Sequence, residues 1–118
     1  MDFGLAKTIE EVRRSSTMIG GTPYYMAPEQ AAGEAVDHRA DLYAFGVTLF
    51  QLVTGALPFT DGDVAYLHAH EPPPDPREVE ATVPAELAAL ILRMMAKLPG
   101  ERPANAAEVG EALRLLLA

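Results

Sequence analysis

The stretch that decides the fold is DHRADLYAFGVTLFQLVTGALPF, residues 37–59. It predicts a helix over residues 39–54, and the apolar side chains leave no polar face, so we expect this helix to be buried all round. Asp37 or Asp41 lies near its start, where a carboxylate suits the positive end of the helix dipole. Gly55 predicts the end of the helix. The apolar set comprises Leu42, Tyr43, Phe45, Val47, Leu49, Phe50, Leu52 and Val53.

Three shorter helices are predicted after the long one. The first runs from residue 63 to about residue 70, and the prolines within residues 72–76 then predict an extended connector, because each ring fixes φ and removes a donor. The second runs over residues 84–96. The third opens at Asn105, where Glu108 three residues later completes a capping-box pair. The second helix carries apolar residues at i, i+3, i+4, i+7 and i+8, namely Leu87, Leu90, Ile91, Met94 and Met95.

The start of the chain predicts a long loop. Residues 2–26 show no sustained periodicity, and loops of this length inside compact domains are usually functional or disordered. A short helical turn is expected over residues 28–32, and a turn-rich break over residues 98–103. No segment alternates at period two for long enough to indicate a strand. The predicted fold class is therefore mainly α.

The composition restricts the classes of binding partner and the cellular compartment that we expect for this chain. A chain of 118 residues has room for one small domain, and 49% hydrophobic residues is too apolar for a disordered chain. The net charge of -8 argues against a nucleic-acid or anionic-membrane partner. The most apolar stretch is far shorter than the roughly 20 residues that span a bilayer. With no cysteine and no signal-peptide pattern, we expect a cytoplasmic location and no membrane contact within this chain.

Three features occur in a fixed order along the chain: Asp-Phe-Gly at residues 2–4, GTPYYMAPEQ at residues 21–30, and the long helix segment. Together they resemble protein kinases from the magnesium-binding loop onward. Gln30 and the compact LVTGALPF ending are most similar to bacterial Ser/Thr kinases. The resemblance covers essentially the whole chain. It implies that residues 1–118 form part of a kinase domain, with residues 2–29 as a long activation segment and residues 30–118 as the helical core of the C-lobe.

The resemblance also implies a cofactor site and a regulatory segment. In a kinase the Asp of Asp-Phe-Gly holds Mg²⁺, which bridges the phosphate oxygens of ATP, and Asp2 matches it. Ser15, Ser16 and Thr17 lie in the activation-loop region and are candidate phosphorylation sites, since a phosphate there adds roughly two negative charges that arginines can bind. A solvated loop of small polar residues explains the same three residues equally well.

The remaining site residues follow from the resemblance to the substrate loop of Ser/Thr kinases. Thr22 matches a threonine that contacts the catalytic loop and helps to select hydroxyl substrates. Glu29 and Arg102 match a buried ion pair that ties the loop to the helical core, and Asp41 matches a residue that braces the catalytic loop. The resemblance also implies a site that binds the substrate residue directly after the target Ser or Thr. This site is lined by Pro23, Tyr24, Tyr25 and Met26.

Two histidine motifs do not indicate a site. His38 opens the sequence His-Arg-Ala-Asp, which is similar to the kinase catalytic loop, but it comes after the metal-binding motif instead of before it. We interpret it as helix-start sequence. His68 and His70 lie two residues apart on a short helix, so they do not share a face and a metal pair is not expected.

Much of the kinase machinery has no match in the chain. A Gly-rich loop, the strand Lys with its Glu, and the catalytic Asp with its Asn would all lie upstream of Asp2. The isolated chain is therefore expected to bind ATP and Mg²⁺ weakly and to be inactive, with protein Ser/Thr segments as substrates only of the intact kinase. Apolar surface left without cover predicts self-association. The alternative interpretation is a non-catalytic, kinase-like protein-binding module.

Overall fold

The structure is a computed structural model, and it describes residues 23–117 of the chain. Over these residues it contains helices and connecting turns but no β-strand, which confirms the mainly α prediction. The helices in chain order are α1 (Pro28–Ala31), α2 (His38–Thr54), α3 (Val64–His70), α4 (Pro76–Val79), α5 (Ala85–Met94), a short 3₁₀ helix (Pro99–Glu101) and α6 (Ala106–Leu117).

The ends of α2 follow the local chemistry of the sequence. The Asp37 side chain accepts a hydrogen bond from the Arg39 backbone N–H at 2.9 Å, which satisfies one of the free donors of the first turn. At the other end Gly55 takes a φ of 80°, a left-handed conformation that costs glycine little. Its N–H donates to the Gln51 carbonyl oxygen at 2.8 Å and closes the helix. The predicted bounds of this helix are confirmed to within one residue.

Helix α2 is the centre of the core, and α5 packs directly against it. Gly46 makes this approach close: a Cβ added there would lie 2.9 Å from the Met94 Cβ and 3.0 Å from the Met95 Cγ. Helix α4 contacts α2 and α5, α6 contacts α5, and α1 contacts α3. The side chains buried in the shared core include Tyr43, Phe45, Val47, Phe50, Ile91, Met94, Val109 and Leu113.

The prediction that α2 is buried all round is wrong at its C-terminal end. The buried side chains extend from Ala40 to Phe50, whereas Leu52 is 69% exposed and Val53 is only partly buried. The reason is the position of α5, which crosses α2 near Gly46 and leaves the last turn of α2 outside the shared core. Leu52 is thus an exposed apolar side chain at the C-terminal end of α2. Self-association through such surface stays a prediction.

The proline connector also differs from the prediction. The sequence predicts an extended segment through Pro76, but Pro76 begins helix α4. Proline suits the first position of a helix, because its fixed φ is helical and its missing N–H would have had no partner there. The Asp75 side chain accepts from the Arg77 N–H at 2.9 Å and caps the same turn. The segment before Pro76 is extended, as the sequence predicts.

The last helix opens with most of the predicted capping box. The Asn105 side chain accepts from the Glu108 N–H at 2.9 Å, as the pattern requires. The Glu108 carboxylate, however, accepts from the Ala104 N–H at 2.7 Å, one residue earlier than the pattern predicts. Helix α5 is shorter than predicted at both ends, and residues 98–103 hold the 3₁₀ turn.

Candidate functional site

The structure describes only part of the site expected from the sequence. Asp2 and Thr22 lie outside residues 23–117, and so do the three candidate phosphorylation sites Ser15, Ser16 and Thr17. Their roles stay predictions. The expected residues that the structure does describe are Pro23, Tyr24, Tyr25, Met26, Glu29, Asp41 and Arg102.

Residues 23–26 form a half-buried turn directly before helix α1. The Met26 N–H donates to the Pro23 carbonyl oxygen at 3.3 Å and closes the turn. The Ala27 N–H donates to the Gln30 side-chain oxygen at 2.8 Å, which fixes the entry into α1. Because the sequence predicts that these residues contact a substrate, we refer to residues 23–26 as the substrate-facing loop. Its conformation is set by local hydrogen bonds, by two buried anchors and by a hydrogen bond from Tyr25 to the last turn of α2.

The first anchor is a buried ion pair between Glu29 and Arg102. The guanidinium nitrogens Nη1 and Nη2 donate to the two carboxylate oxygens at 2.7 and 2.8 Å, although 73 residues separate the partners in the chain. The exposed fraction of the two side chains is 0% for Arg102 and 5% for Glu29. This is the two-point contact that a planar guanidinium makes with a carboxylate. The pairing expected from the resemblance is present.

The remaining donors of Arg102 all point at backbone carbonyl oxygens. Nε donates to Ala96 at 2.8 Å, Nη1 also donates to Arg39 at 2.9 Å, and Nη2 also donates to Lys97 at 3.2 Å. Arginine has five N–H donors, so the two bonds to Glu29 and these three account for all of them. A buried charge is tolerated when it is paired and hydrogen-bonded. Arg102 therefore joins α1, the start of α2 and the turn after α5.

The hydrogen bonds around Glu29 keep its carboxylate charged. Burial by itself raises the pKa of Glu29, but the hydrogen bonds from Arg102 and from its own backbone N–H outweigh burial, and the pKa lies below its ordinary value. The carboxylate is therefore ionised at neutral pH and completes the pair.

The second anchor is His68, which the sequence did not identify as a site residue. Its Nε2 lies 2.7 Å from the Tyr24 carbonyl oxygen and its Nδ1 lies 2.7 Å from the Tyr43 hydroxyl. Because a carbonyl oxygen only accepts, Nε2 must carry the proton, and Nδ1 then accepts from Tyr43. Burial lowers the pKa of His68 to about 4, so the ring is neutral at pH 7. The available signal was spacing: His68 is four residues after Val64, and both are buried on one face of α3.

The two anchors meet around Tyr43. The Arg102 guanidinium carbon lies 5.0 Å from the centre of the Tyr43 ring, and the His68 ring meets the same ring edge-on at 5.4 Å. A cation over an aromatic face and an edge-to-face ring pair are both favourable. Glu29, Arg102, Tyr43 and His68 thus form a continuous buried cluster, which we call the polar core, and it ends on the Tyr24 carbonyl oxygen.

Lys97 stabilises the end of the helix that carries His68. Its Nζ donates to the carbonyl oxygens of His68 at 2.8 Å and Leu67 at 3.4 Å, so it caps the C-terminus of α3. The ammonium also lies 5.2 Å from the centre of the Phe59 ring. Burial lowers the pKa of Lys97 to about 8, and the nearby charge of Arg102 acts in the same direction.

Tyr25 has a partner that the sequence did not identify. Its hydroxyl donates to the Gln51 side-chain oxygen at 2.6 Å, across 26 residues of sequence. Gln51 lies on the last turn of α2, a helix whose other residues there are mostly apolar. A polar side chain in an apolar helix was the available signal, since such a group needs a hydrogen-bond partner when it is partly buried.

Asp41 lies in the first turn of α2, where its charge suits the helix dipole. Its predicted contact with a catalytic loop stays a prediction. The His-Arg-Ala-Asp sequence is helix start, as interpreted from the sequence, because His38 is the first residue of α2. Among residues 23–117 no group of His, Cys, Asp or Glu is placed to hold a metal ion. No helix in the described part of the chain has the length and apolar content of a membrane span.

Comparison with known proteins gives a consistent family match. The model of the protein kinase domain matches residues 1–113. The chain is similar to serine/threonine-protein kinase Pkn1 of Myxococcus xanthus, with 49% identity over 100% of this chain and 18% of Pkn1. It is 45% identical to the DNA damage-responsive kinase RqkA of Deinococcus radiodurans over 91% of this chain and 17% of RqkA. It is 42% identical to PknB of Mycolicibacterium smegmatis over 92% of this chain and 18% of PknB. The chain thus spans less than a fifth of the length of these relatives.

Proposed function

The chain belongs to the protein kinase family, and from that premise we propose that it serves as the helical lobe of an ATP-dependent bacterial Ser/Thr protein kinase. Residues 2–29 act as the activation segment and residues 30–118 as the helical core in this proposal. The reaction is phosphoryl transfer from ATP to the hydroxyl of a protein Ser or Thr. ATP and Mg²⁺ are solutes of the cytoplasm, and we propose that the domain acts there.

The observation that carries the proposal is the pairing of Glu29 with Arg102. It connects α1 to the turn after α5, and with His68 it anchors the substrate-facing loop to the helical core at both ends. Positioning of the substrate is a large part of catalysis in phosphoryl transfer, because the protein does little covalent chemistry there. A loop held by buried hydrogen bonds is suited to hold a peptide in one register.

Residues outside the described part of the chain also have roles in the proposed reaction. Asp2 supplies a carboxylate for Mg²⁺, which neutralises charge on the ATP phosphates when it is bound. Thr22 takes part in selecting hydroxyl substrates, directly before the substrate-facing loop. Phosphate on Ser15, Ser16 or Thr17 orders the activation segment. Each role rests on the match of this sequence to the family pattern.

The proposal makes a prediction about the chain by itself. Since residues 1–118 contain no match to the Gly-rich loop, the strand Lys or the catalytic Asp, we expect the isolated chain to transfer no phosphate to itself or to a basic protein. Incorporation of radiolabel from γ-labelled ATP measures this, with the Asp2→Ala variant as the control. Incorporation above that control would contradict the expected silence.

A chimera tests the proposed function itself. In it, this chain replaces the corresponding segment of Pkn1, which then supplies the upstream half of the kinase domain. We expect the chimera to phosphorylate protein Ser and Thr, and the same chimera with Asp2→Ala to lose at least about a hundredfold in rate, since the metal ligand is removed. Two results would contradict the proposal: a folded chimera that transfers no phosphate, or one whose rate is unchanged by Asp2→Ala. The first of these results would favour the non-catalytic binding module.

A further inference from the structure

Lys97 lies in the wall of an open groove, and the proposed reaction does not use its amino group. The side chain is half-buried, and the groove has a volume of about 490 Å³ between α1, α3 and the turn after α5. Because part of Lys97 lines this groove, a small molecule has a route to the side chain from solvent. Four of the other lining residues are small and leave the space open, namely Ala31, Ala32, Ala65 and Ala69.

The hydrogen bonds of Lys97 leave one of its protons free to depart. Within the described residues Nζ donates to the His68 carbonyl oxygen at 2.8 Å and to the Leu67 carbonyl oxygen at 3.4 Å. An ammonium has three N–H donors, whereas a neutral amine has two donors and a lone pair. Loss of the third proton therefore keeps both hydrogen bonds and creates a nucleophilic lone pair on Nζ.

The surroundings of Nζ favour the neutral amine. The rings of Phe59 and Tyr43, whose centres lie 5.2 and 6.0 Å from Nζ, take the place of water on one side of it. Burial lowers the pKa of Lys97 to about 8, the positive charge of Arg102 acts in the same direction, and the charge of Glu71 opposes them more weakly. Removal from water and a neighbouring cation are the two features that activate lysine nucleophiles in enzymes.

The acidic groups near Lys97 do not pair with it. Among residues 23–117 no carboxylate forms an ion pair with Nζ, so no direct partner holds the proton in place. The imidazole of His68, which lies on the helix that Nζ caps, is neutral at pH 7. The other charged or titratable groups that line the groove are Glu29, Glu34, Asp63 and His70, and none of them is hydrogen-bonded to Nζ.

We propose that Lys97 is an acylation site, at which Nζ takes the acyl group of a small activated donor, a thioester or an acyl phosphate, that enters through the groove. Neutral Nζ attacks the carbonyl carbon of the donor and forms the C–N bond of an amide. The bond from that carbon to sulfur or to the phosphate oxygen breaks, and the thiolate or phosphate leaves with the bonding electrons. The proton released by nitrogen passes to the leaving group or to water, so no oxidant, reductant or metal is needed.

Acylation changes the end of α3 that carries the second anchor. The amide keeps one N–H, so it can donate to only one of the two carbonyl oxygens, and the positive charge at the C-terminus of α3 is lost. His68 accepts from Nζ through its backbone and contacts the Tyr24 carbonyl oxygen through its ring. The acylated chain therefore holds the substrate-facing loop less firmly. This regulatory consequence rests on the proposed kinase function, whereas the modification itself does not.

Competitive labelling followed by mass spectrometry tests the site on the chain as it stands. The chain and Nα-acetyl-lysine amide react together at pH 7.5 with a trace of S-acetyl-N-acetylcysteamine, a neutral thioester, or in a parallel series with acetyl phosphate. The chain contains only two lysines, Lys7 and Lys97, and digestion separates them. We expect Lys97 to react about tenfold faster than the reference amine with at least one donor. Its neutral fraction is about a hundredfold larger, but its lower basicity makes it a weaker nucleophile.

Two controls connect the reactivity to the folded site. In unfolding concentrations of urea the ratio of Lys97 to the reference amine should fall to about one, because the burial is lost. Ala69→Leu narrows the groove and should slow Lys97 at least about threefold, while the labelling of Lys7 is unchanged. The matched variant Ala89→Leu lies on the exposed side of α5, away from the groove, and should leave both rates as they are. Thermal unfolding establishes that each variant is folded.

The regulatory consequence has its own measurement in the Pkn1 chimera. Lys97→Gln imitates the uncharged acyl-lysine and should raise the peptide KM about threefold without changing the ATP KM. Lys97→Arg keeps the charge and should change the peptide KM by less than about twofold. An equal effect of Gln and Arg at position 97 would contradict the consequence, because the loss of charge would not be its cause.

Three results would overturn the acylation site. One is a Lys97 rate no higher than that of the reference amine with either donor. Another is an enhancement that persists in urea, which would not need the fold. The third is equal slowing by Ala69→Leu and Ala89→Leu, since the groove would then not be the route. Labelling needs no phosphoryl transfer, so an inactive chimera together with selective labelling of Lys97 would contradict the kinase proposal and not the acylation site.

Discussion

Replacing Arg102 with Ala is expected to lower the free energy of unfolding by about 3–5 kcal/mol, which is a large share of the stability of a small domain. The physical reason is that Glu29 stays behind as a buried charge without its partner. Three carbonyl oxygens that accept from the guanidinium also lose a donor. Urea unfolding followed by circular dichroism measures the change.

Two further variants separate this effect from the loss of a positive charge in general. Arg114→Ala removes an arginine whose pair with Glu111 is exposed, so it should change the free energy of unfolding far less than Arg102→Ala does. Arg102→Lys should restore only part of the stability, because an ammonium cannot make the planar two-point contact. If Arg102→Ala and Arg114→Ala cost the same, the buried pair is not an anchor of the fold.

Lowering the pH from 7 to 5 is expected to destabilise the chain through His68 by about 2 kcal/mol. Burial lowers the pKa of His68 from 6.5 to about 4, so below pH 6.5 the unfolded state takes up a proton that the folded state does not. The contribution of the neutral ring is therefore complete above pH 6.5 and is lost as the pH falls towards 4. Unfolding free energies measured at several pH values give the slope directly.

The slope must be assigned to His68 with variants, since carboxylates also titrate towards low pH. His68→Gln keeps a donor for the Tyr24 carbonyl oxygen and an acceptor for the Tyr43 hydroxyl but does not titrate, so most of the loss between pH 7 and 5 should disappear. His70→Gln changes an exposed histidine on the same helix and should leave the slope as it is. An unchanged slope in His68→Gln would contradict the buried neutral ring.

Most of the helices could be predicted from the sequence because their signals are local. Gly55 marks the end of α2, Asp63 caps α3, and the apolar stripe of α5 has the period of a helix. One of the two errors is a tertiary effect and the other is local. Leu52 is exposed because the crossing point of α5 decides how far the core extends, and proline at position 76 starts a helix because its neighbour Asp75 caps it.

The candidate site was predicted less completely. The pairing of Glu29 with Arg102 was expected only from the family resemblance, since no local rule joins residues 73 positions apart. His68 and Gln51 were missed because their partners are distant in the chain: Tyr24 and Tyr43 for His68, and Tyr25 for Gln51. Spacing can indicate that a polar side chain is buried, but only the fold shows which group it contacts.

The central claim is that the substrate-facing loop is a peptide-binding surface whose conformation is set by contacts from the helical core. The hydrogen bond from the Tyr25 hydroxyl to Gln51 is the contact best suited to a test, because it can be removed from either side and is not fully buried. A lost hydrogen bond costs about 1 kcal/mol, which corresponds to about fivefold in binding.

The most direct measurement is the steady-state KM of the Pkn1 chimera for a peptide substrate and for ATP, before and after Gln51→Leu. We predict that the peptide KM rises about fivefold while the ATP KM is unchanged. Tyr25→Phe should have the same effect, and the double variant should be no worse than either single one, because both remove the same hydrogen bond. An unchanged peptide KM, or an equal rise in the KM for ATP, would contradict the claim.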